Sequence, residues 1–195
     1  MSAITAAFSF DLASPLAYLA AEQVLHELAR APAPVRWQPV LASELPNGGG
    51  SEQSFRCERE QLAFREDVER AARALGLQPL RWPARFPFDS ELAMRAATYA
   101  HSIGRAVPFA QAAFRQAFAG GRALDRLDNV LIAAAACEMH PRAVTQACEQ
   151  RSVREQLSAA TAQAAQAGVR EVPSIRLGER VFGGERALEQ AVGAI

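Results

Sequence analysis

The sequence predicts an α/β chain in which a β-α-β unit and a β-β-α unit flank a long helical stretch. Three observations predict it. The aromatic run Phe8-Ser9-Phe10 stops at Asp11 and leads within three residues to Ser14-Pro15, the residue types favoured at a helix N-cap and first turn. Residues 55–168 are almost wholly helical in pattern. Two short β-prone runs, 172–177 and 180–182, meet at the turn Gly178-Glu179.

Length and composition narrow the function classes. At 195 residues and 50% hydrophobic content, the chain can bury the core of one domain with a large insertion. Formal net charge is zero and no basic block occurs, which gives no support for nucleic-acid binding. Apolar runs are short and broken by Arg or Glu, so no membrane span is predicted. The N-terminus reads as a strand rather than a secretory leader. All 21 basic residues are arginine, which excludes Schiff-base lysines, pyridoxal-phosphate anchoring and a P-loop lysine. Cys57, Cys137 and Cys148 are odd in number and widely spaced, as reduced thiols of a cytoplasmic protein would be. No zinc-ligand spacing appears, so no metal is expected.

The elements follow in order. Residues 4–11 form the first strand and 15–30 the first helix, with Leu16, Leu19, Ala20, Val24 and Leu28 at helical spacing. Ala31-Pro32-Ala33-Pro34 ends that helix, and 35–41 form a second strand. A right-handed crossover then makes the two strands parallel. A polar loop over 42–54 carries Asn47-Gly48-Gly49-Gly50 and reads either as a ligand-contacting segment or as a plain connection. Helices are predicted near 56–75, 89–104, 107–120, 127–139, 141–150 and 151–167. Gly76, Asp89-Ser90, Val107-Pro108, Gly120-Gly121, Asp128 and His140-Pro141 punctuate them. Between 78 and 87 lies a proline-rich connector with Trp82 and Phe86, followed by Phe88. Residues 184–193 form a last helix. The organisation is therefore one β-containing unit, 1–54 with 169–195, interrupted by an all-helical unit, 55–168.

Three motifs, in order and spanning essentially the whole chain, carry a resemblance. Phe10-Asp11 followed by Ser14-Pro15-Leu16-Ala17-Tyr18-Leu19 is the first. Phe86-Pro87-Phe88-Asp89-Ser90-Glu91-Leu92-Ala93-Met94-Arg95 is the second. Gly168-Val169-Arg170-Glu171-Val172-Pro173-Ser174 with Val181-Phe182-Gly183-Gly184-Glu185-Arg186 is the third. Together they resemble the kappa-class glutathione transferases and the 2-hydroxychromene-2-carboxylate isomerases. The resemblance implies a thioredoxin-like fold, β-α-β then β-β-α, with a large DsbA-like helical insertion. It departs from the family at Leu16, where an aromatic is usual, at Asp89 for Asn, at Gly184 for Asn or Ser, and at Glu185 for Asp. The family's glutathione-contacting lysine has no counterpart, and Arg56 or Arg59 stands nearest in sequence.

In thioredoxin-like proteins the first helix opens on Cys-x-x-Cys, where the helix end lowers the thiol pKa. Here those positions read Ser14-Pro15-Leu16-Ala17. A site suited to a thiolate, but without a thiol, implies that the sulfur arrives on a cofactor, which the resemblance identifies as glutathione. The resemblance casts Ser14 as the residue that bonds this sulfur. It casts Val172 and Pro173 (a cis proline in such folds) as a backbone edge for the tripeptide, with Asn47, Gly184 and Glu185 as further cofactor contacts. Pro15, Tyr18, Trp82, Phe88 and Asp89 are candidate pocket residues for a small aromatic substrate. Each has a plainer reading: Ser14 and Asp89 as helix caps, Pro173 as an edge-strand proline, Glu185 as a helix N-terminal charge, and the aromatics as packing. His26, His101 and His140 read as structural, and the cysteines as small apolar groups. The implied activity is isomerisation of an aromatic-degradation intermediate, with glutathione transfer or peroxide reduction as the enzymatic alternative. A thioredoxin-fold module that binds without catalysis is the third reading. Family likeness also implies a homodimer.

Overall fold

The computed structural model describes residues 5–47 and 55–195. The residue predicted to begin the first strand, Ile4, and residues 48–54 of the polar loop lie outside the described residues. Four strands form one sheet: β1 (Ala6–Phe10), β2 (Val35–Pro39), β3 (Ser174–Leu177) and β4 (Arg180–Gly183). Their order is β2-β1-β3-β4. β1 runs parallel to β2 and antiparallel to β3, and β3 runs antiparallel to β4. The predicted β-α-β crossover and β-β hairpin are both present.

The helices are α1 (Pro15–Ala21), α2 (Val24–Glu27), α3 (Glu58–Ala74), α4 (Glu91–Ser102), α5 (Ala106–Phe118), α6 (Leu127–Ala135), α7 (Pro141–Glu149), α8 (Arg151–Gln166) and α9 (Ala187–Val192). The segment expected as one helix over 15–30 is two. The Gln23 side-chain amide donates to the Leu19 carbonyl, while the Gln23 N–H turns to Ala20 O. The side chain thus takes the acceptor that the next helical rung needs, and the ladder stops. β3 begins two residues later than expected, because the backbone at Val172-Pro173 is a turn with a cis peptide rather than strand.

β1 is buried along its whole length, as an interior strand covered on both faces must be. Phe8 and Phe10, two residues apart, project to one face and pack with Trp37 of β2 and Phe114 of α5. Tyr18 of α1 stacks on Phe118 of α5. A single apolar cluster therefore runs from the sheet through α1 into the helices of residues 55–168.

This architecture converges several segments on one end of the sheet. The C-terminal ends of β1 and β2 lie together, since Phe10 faces Pro39. The N-terminal end of β3 and the C-terminal end of β4 lie there too, since Ser9 faces Ser174 and Ser174 faces Gly183.

Candidate functional site

Ser14 sits at the mouth of α1, just past that sheet end. It is 2% exposed. Its extended backbone and its Oγ, which accepts from Ala17 N–H at 2.9 Å, make it the N-cap, with Pro15 as the first helical residue. The capping role anticipated for Ser14 is therefore present. A hydroxyl can accept and donate at once, so acting as the cap does not by itself exclude a contact with sulfur.

A residue that the sequence reading passed over holds this region together. Asp11 is 1% exposed at the end of β1. Its Oδ1 accepts from Ala13 N–H, and its Oδ2 accepts from Ala42 N–H and from the Ser90 hydroxyl, each at 2.9 Å. Its carbonyl accepts from Ser14 N–H at 3.1 Å. Burial pushes the Asp11 carboxyl above its ordinary pKa, against the opposing pull of the Ala13, Ala42 and Ser90 hydrogen bonds, and nearby Asp89 adds to the rise. One carboxyl group thus ties the mouth of α1 to the loop after β2 and to the start of α4. The Leu12 N–H, next in the chain, points to Met94 Sδ of α4 at 3.2 Å.

The two segments tied by Asp11 flank an open cleft of about 460 Å³, lined by Leu41, Ser43, Pro87, Phe88, Asp89, Ser90 and Glu91. Phe88 and Asp89, candidate pocket residues, are among its lining. Asp89 also accepts from Glu91 N–H at 2.9 Å, supporting the first turn of α4. Trp82 belongs to a packing cluster. Its Nε1 donates to Glu69 at 2.8 Å, its ring meets Phe86 edge-on at 4.9 Å, and Arg65 lies over it at 5.1 Å. Tyr18 lines a different cavity, about 340 Å³, with Glu22 and Arg115. Arg115 grips Glu22 through two bonds of 2.7 Å there.

The second wall of the site is the turn before β3. The Val172-Pro173 peptide is cis, and Pro173 O accepts from Gly184 N–H at 2.9 Å. Among the described residues, neither the N–H nor the C=O of Val172 makes a hydrogen bond, so a peptide edge remains unpaired here. Asn47 is drawn to the same turn by its N–H, which donates to Arg170 O at 3.0 Å. Gly184 has φ +80° and Glu185 is exposed. Arg56 and Arg59 are exposed at the start of α3.

Thiol chemistry native to the chain is poorly served by this arrangement. All three cysteines are free, with Cys57 exposed and Cys137 and Cys148 buried. Burial pushes the Cys148 thiol up to about 11 and raises that of Cys137. Native protein is therefore expected to take one iodoacetamide adduct, at Cys57, and denatured protein three, as read by intact mass. Two or more adducts on native protein would contradict the burial. Among the described residues no His, Cys, Asp and Glu cluster could hold a metal ion, and no helix is long and apolar enough to cross a membrane.

The comparisons agree with this geometry. A model of the DsbA-like thioredoxin domain matches residues 5–195, and the chain belongs to that family. Among solved structures it is similar to a 2-hydroxychromene-2-carboxylate isomerase, with a TM-score of 0.84 and 20% identity over 97% of this chain and 93% of that one. It is also similar to a probable DsbA oxidoreductase from Streptomyces coelicolor (TM-score 0.78, 17% identity, 98% of this chain and 88% of that one). A third similar structure is the cytosolic disulfide reductase DsbM from Pseudomonas aeruginosa with GSH (TM-score 0.65, 16% identity, 97% and 98%). A search of curated protein sequences gives no match.

Proposed function

We propose that this chain is a glutathione-dependent isomerase of an aromatic-degradation intermediate, of the 2-hydroxychromene-2-carboxylate isomerase type. The observation that carries the reading is Ser14. In a DsbA-like thioredoxin fold, a hydroxyl stands at the helix mouth where a nucleophilic thiol would otherwise be. The similar isomerase and the similar reductase solved with GSH support the same choice.

The residues present fit glutathione. The peptide edge at Val172, unpaired among the described residues in a residue that is 3% exposed, is where an extended tripeptide would add as one more strand. The mouth of α1 offers a partial positive charge, and the Ser14 hydroxyl a proton, to a bound sulfur. Glutathione, when bound, supplies a thiolate that adds to an activated double bond and departs after rotation about the resulting single bond, so none is consumed. Ser14 holds the sulfur in its anionic form. A hydrogen bond to a charged acceptor contributes ~1.5–3 kcal/mol. At ~1.4 kcal/mol per pKa unit, hydroxyl and helix end together lower the thiol pKa by about one to three units. The cleft beside Phe88 and Leu41 takes the aromatic substrate, with Asp89 and Ser43 at its polar rim.

Incubation with glutathione and 2-hydroxychromene-2-carboxylate tests the reading. The expected result is substrate isomerisation at constant glutathione concentration. Consumption of glutathione would instead mark a transferase or peroxidase. The engagement of Ser14 Oγ with Ala17 N–H favours a second reading, a non-catalytic module. Absence of both turnover and glutathione binding would select it.

A further inference from the structure

We infer that Glu171 is the anionic contact for the ligand's ammonium group, in a bay opened by Gly183 and Gly184. The inference rests on the reading of the ligand as glutathione. The Ser174 hydroxyl donates to Glu171 O at 2.6 Å, fixing the backbone of the turn before β3. The Glu171 side chain then extends across the end of β4. A Cβ built on Gly184 lies 3.1 Å from Glu171 Oε1, and one on Gly183 lies 3.4 Å from Glu171 Cγ and 3.5 Å from Oε1. The carboxylate therefore fills the space that a side chain at position 184 would occupy. Two sequence features, a glutamate at 171 and glycine at 183 and 184, are one packing solution.

Charge completes the argument. Glu171 is half-buried, and among the described residues no cation pairs with it. A half-buried carboxylate without a counter-ion is a stronger cation receptor than an exposed one, because the local dielectric is lower. Glu185, the carboxylate expected in this role from sequence, is exposed. Glutathione carries one cationic group at neutral pH, its α-ammonium, and two carboxylates. Glu171 attracts the first and repels the others, so it sets the direction in which the tripeptide lies along the Val172 edge.

The test is calorimetric titration of the full chain with glutathione and with its deamino analogue, in which hydrogen replaces the ammonium. The wild-type chain is expected to bind glutathione about tenfold tighter than the analogue, the effect of ~1.4 kcal/mol. Glu171→Gln, nearly isosteric, should bind both alike, and should hold the analogue no more weakly than the wild type does. Glu185→Gln should keep the tenfold preference. A preference that survives in Glu171→Gln, or disappears in Glu185→Gln, overturns the inference. Equal wild-type affinity for both ligands also overturns it while leaving the glutathione reading intact. Absence of binding to either overturns that reading itself, and this inference with it. A thermal readout is independent of ligand. Gly184→Asn should lower Tm more in the wild-type background than in Glu171→Gly, since the glutamate is what crowds the new side chain. Equal shifts in the two backgrounds contradict the packing.

Discussion

Replacing Asp11 with alanine is expected to cost about 2–4 kcal/mol of stability and to loosen the site at the same time. The carboxyl group satisfies two buried N–H groups, of Ala13 and Ala42, and the Ser90 hydroxyl. Each donor left unsatisfied costs ~1–3 kcal/mol, and removal of a buried ionisable group offsets part of the sum. Asp11→Asn should also destabilise, because one side of its amide presents N–H to donors. Burial raises the Asp11 pKa, so the folded chain holds this proton to higher pH than the unfolded chain does. Between the two pKa values the native state binds more protons, and stability falls as pH rises. The Asp11 contribution is therefore fully present below the unfolded value and lost as pH rises through the folded one. Urea titrations of wild type and Asp11→Asn across that window should show this slope in the wild type alone. Equal slopes would contradict the assignment.

Ser14→Asp should abolish glutathione binding without unfolding the chain. Aspartate is as good an N-cap as serine, so Ala17 N–H keeps its acceptor and helix α1 its start. A carboxylate has no proton to donate at neutral pH and repels a thiolate. The expected outcome is loss of glutathione binding in a chain that still folds with α1 intact, at a lowered Tm, because a carboxylate at this 2%-exposed position is desolvated. Ser14→Ala gives a complementary pattern, weakened binding together with a loss of about 1 kcal/mol from the missing cap. If Ser14→Asp bound glutathione as the wild type does, the serine would be a cap and nothing more.

Much of this fold was legible in the sequence because its punctuation is local. Ser14-Pro15 and His140-Pro141 open helices where the residue types say they should, and His140 caps α7 through its own ring nitrogen. Gly178 turns the last hairpin with φ +62°. The break after α1 was not legible, since Gln23 suits a helix and interrupts one here only by bonding Leu19 O. The site divides in the same way. Ser14 and Val172-Pro173 announce themselves as motifs, and the structure places them at one sheet end. Asp11 acts through partners 31 and 79 residues away, which no periodicity reveals. The signal available was a single acid closing an otherwise apolar strand. The exchange of roles between Glu171 and position 184 likewise exists only across the β3–β4 hairpin. Trp82 drew notice as an aromatic in a connector, but its neighbours Arg65, Glu69 and Phe86 make it a packing residue.

Thiolate absorbance of glutathione, titrated with pH in the presence of saturating protein, measures directly whether the helix mouth stabilises a borrowed sulfur anion. The account predicts an apparent pKa about one to three units below that of free glutathione, returning to the free value in Ser14→Asp. A wild-type titration that coincides with free glutathione would contradict it.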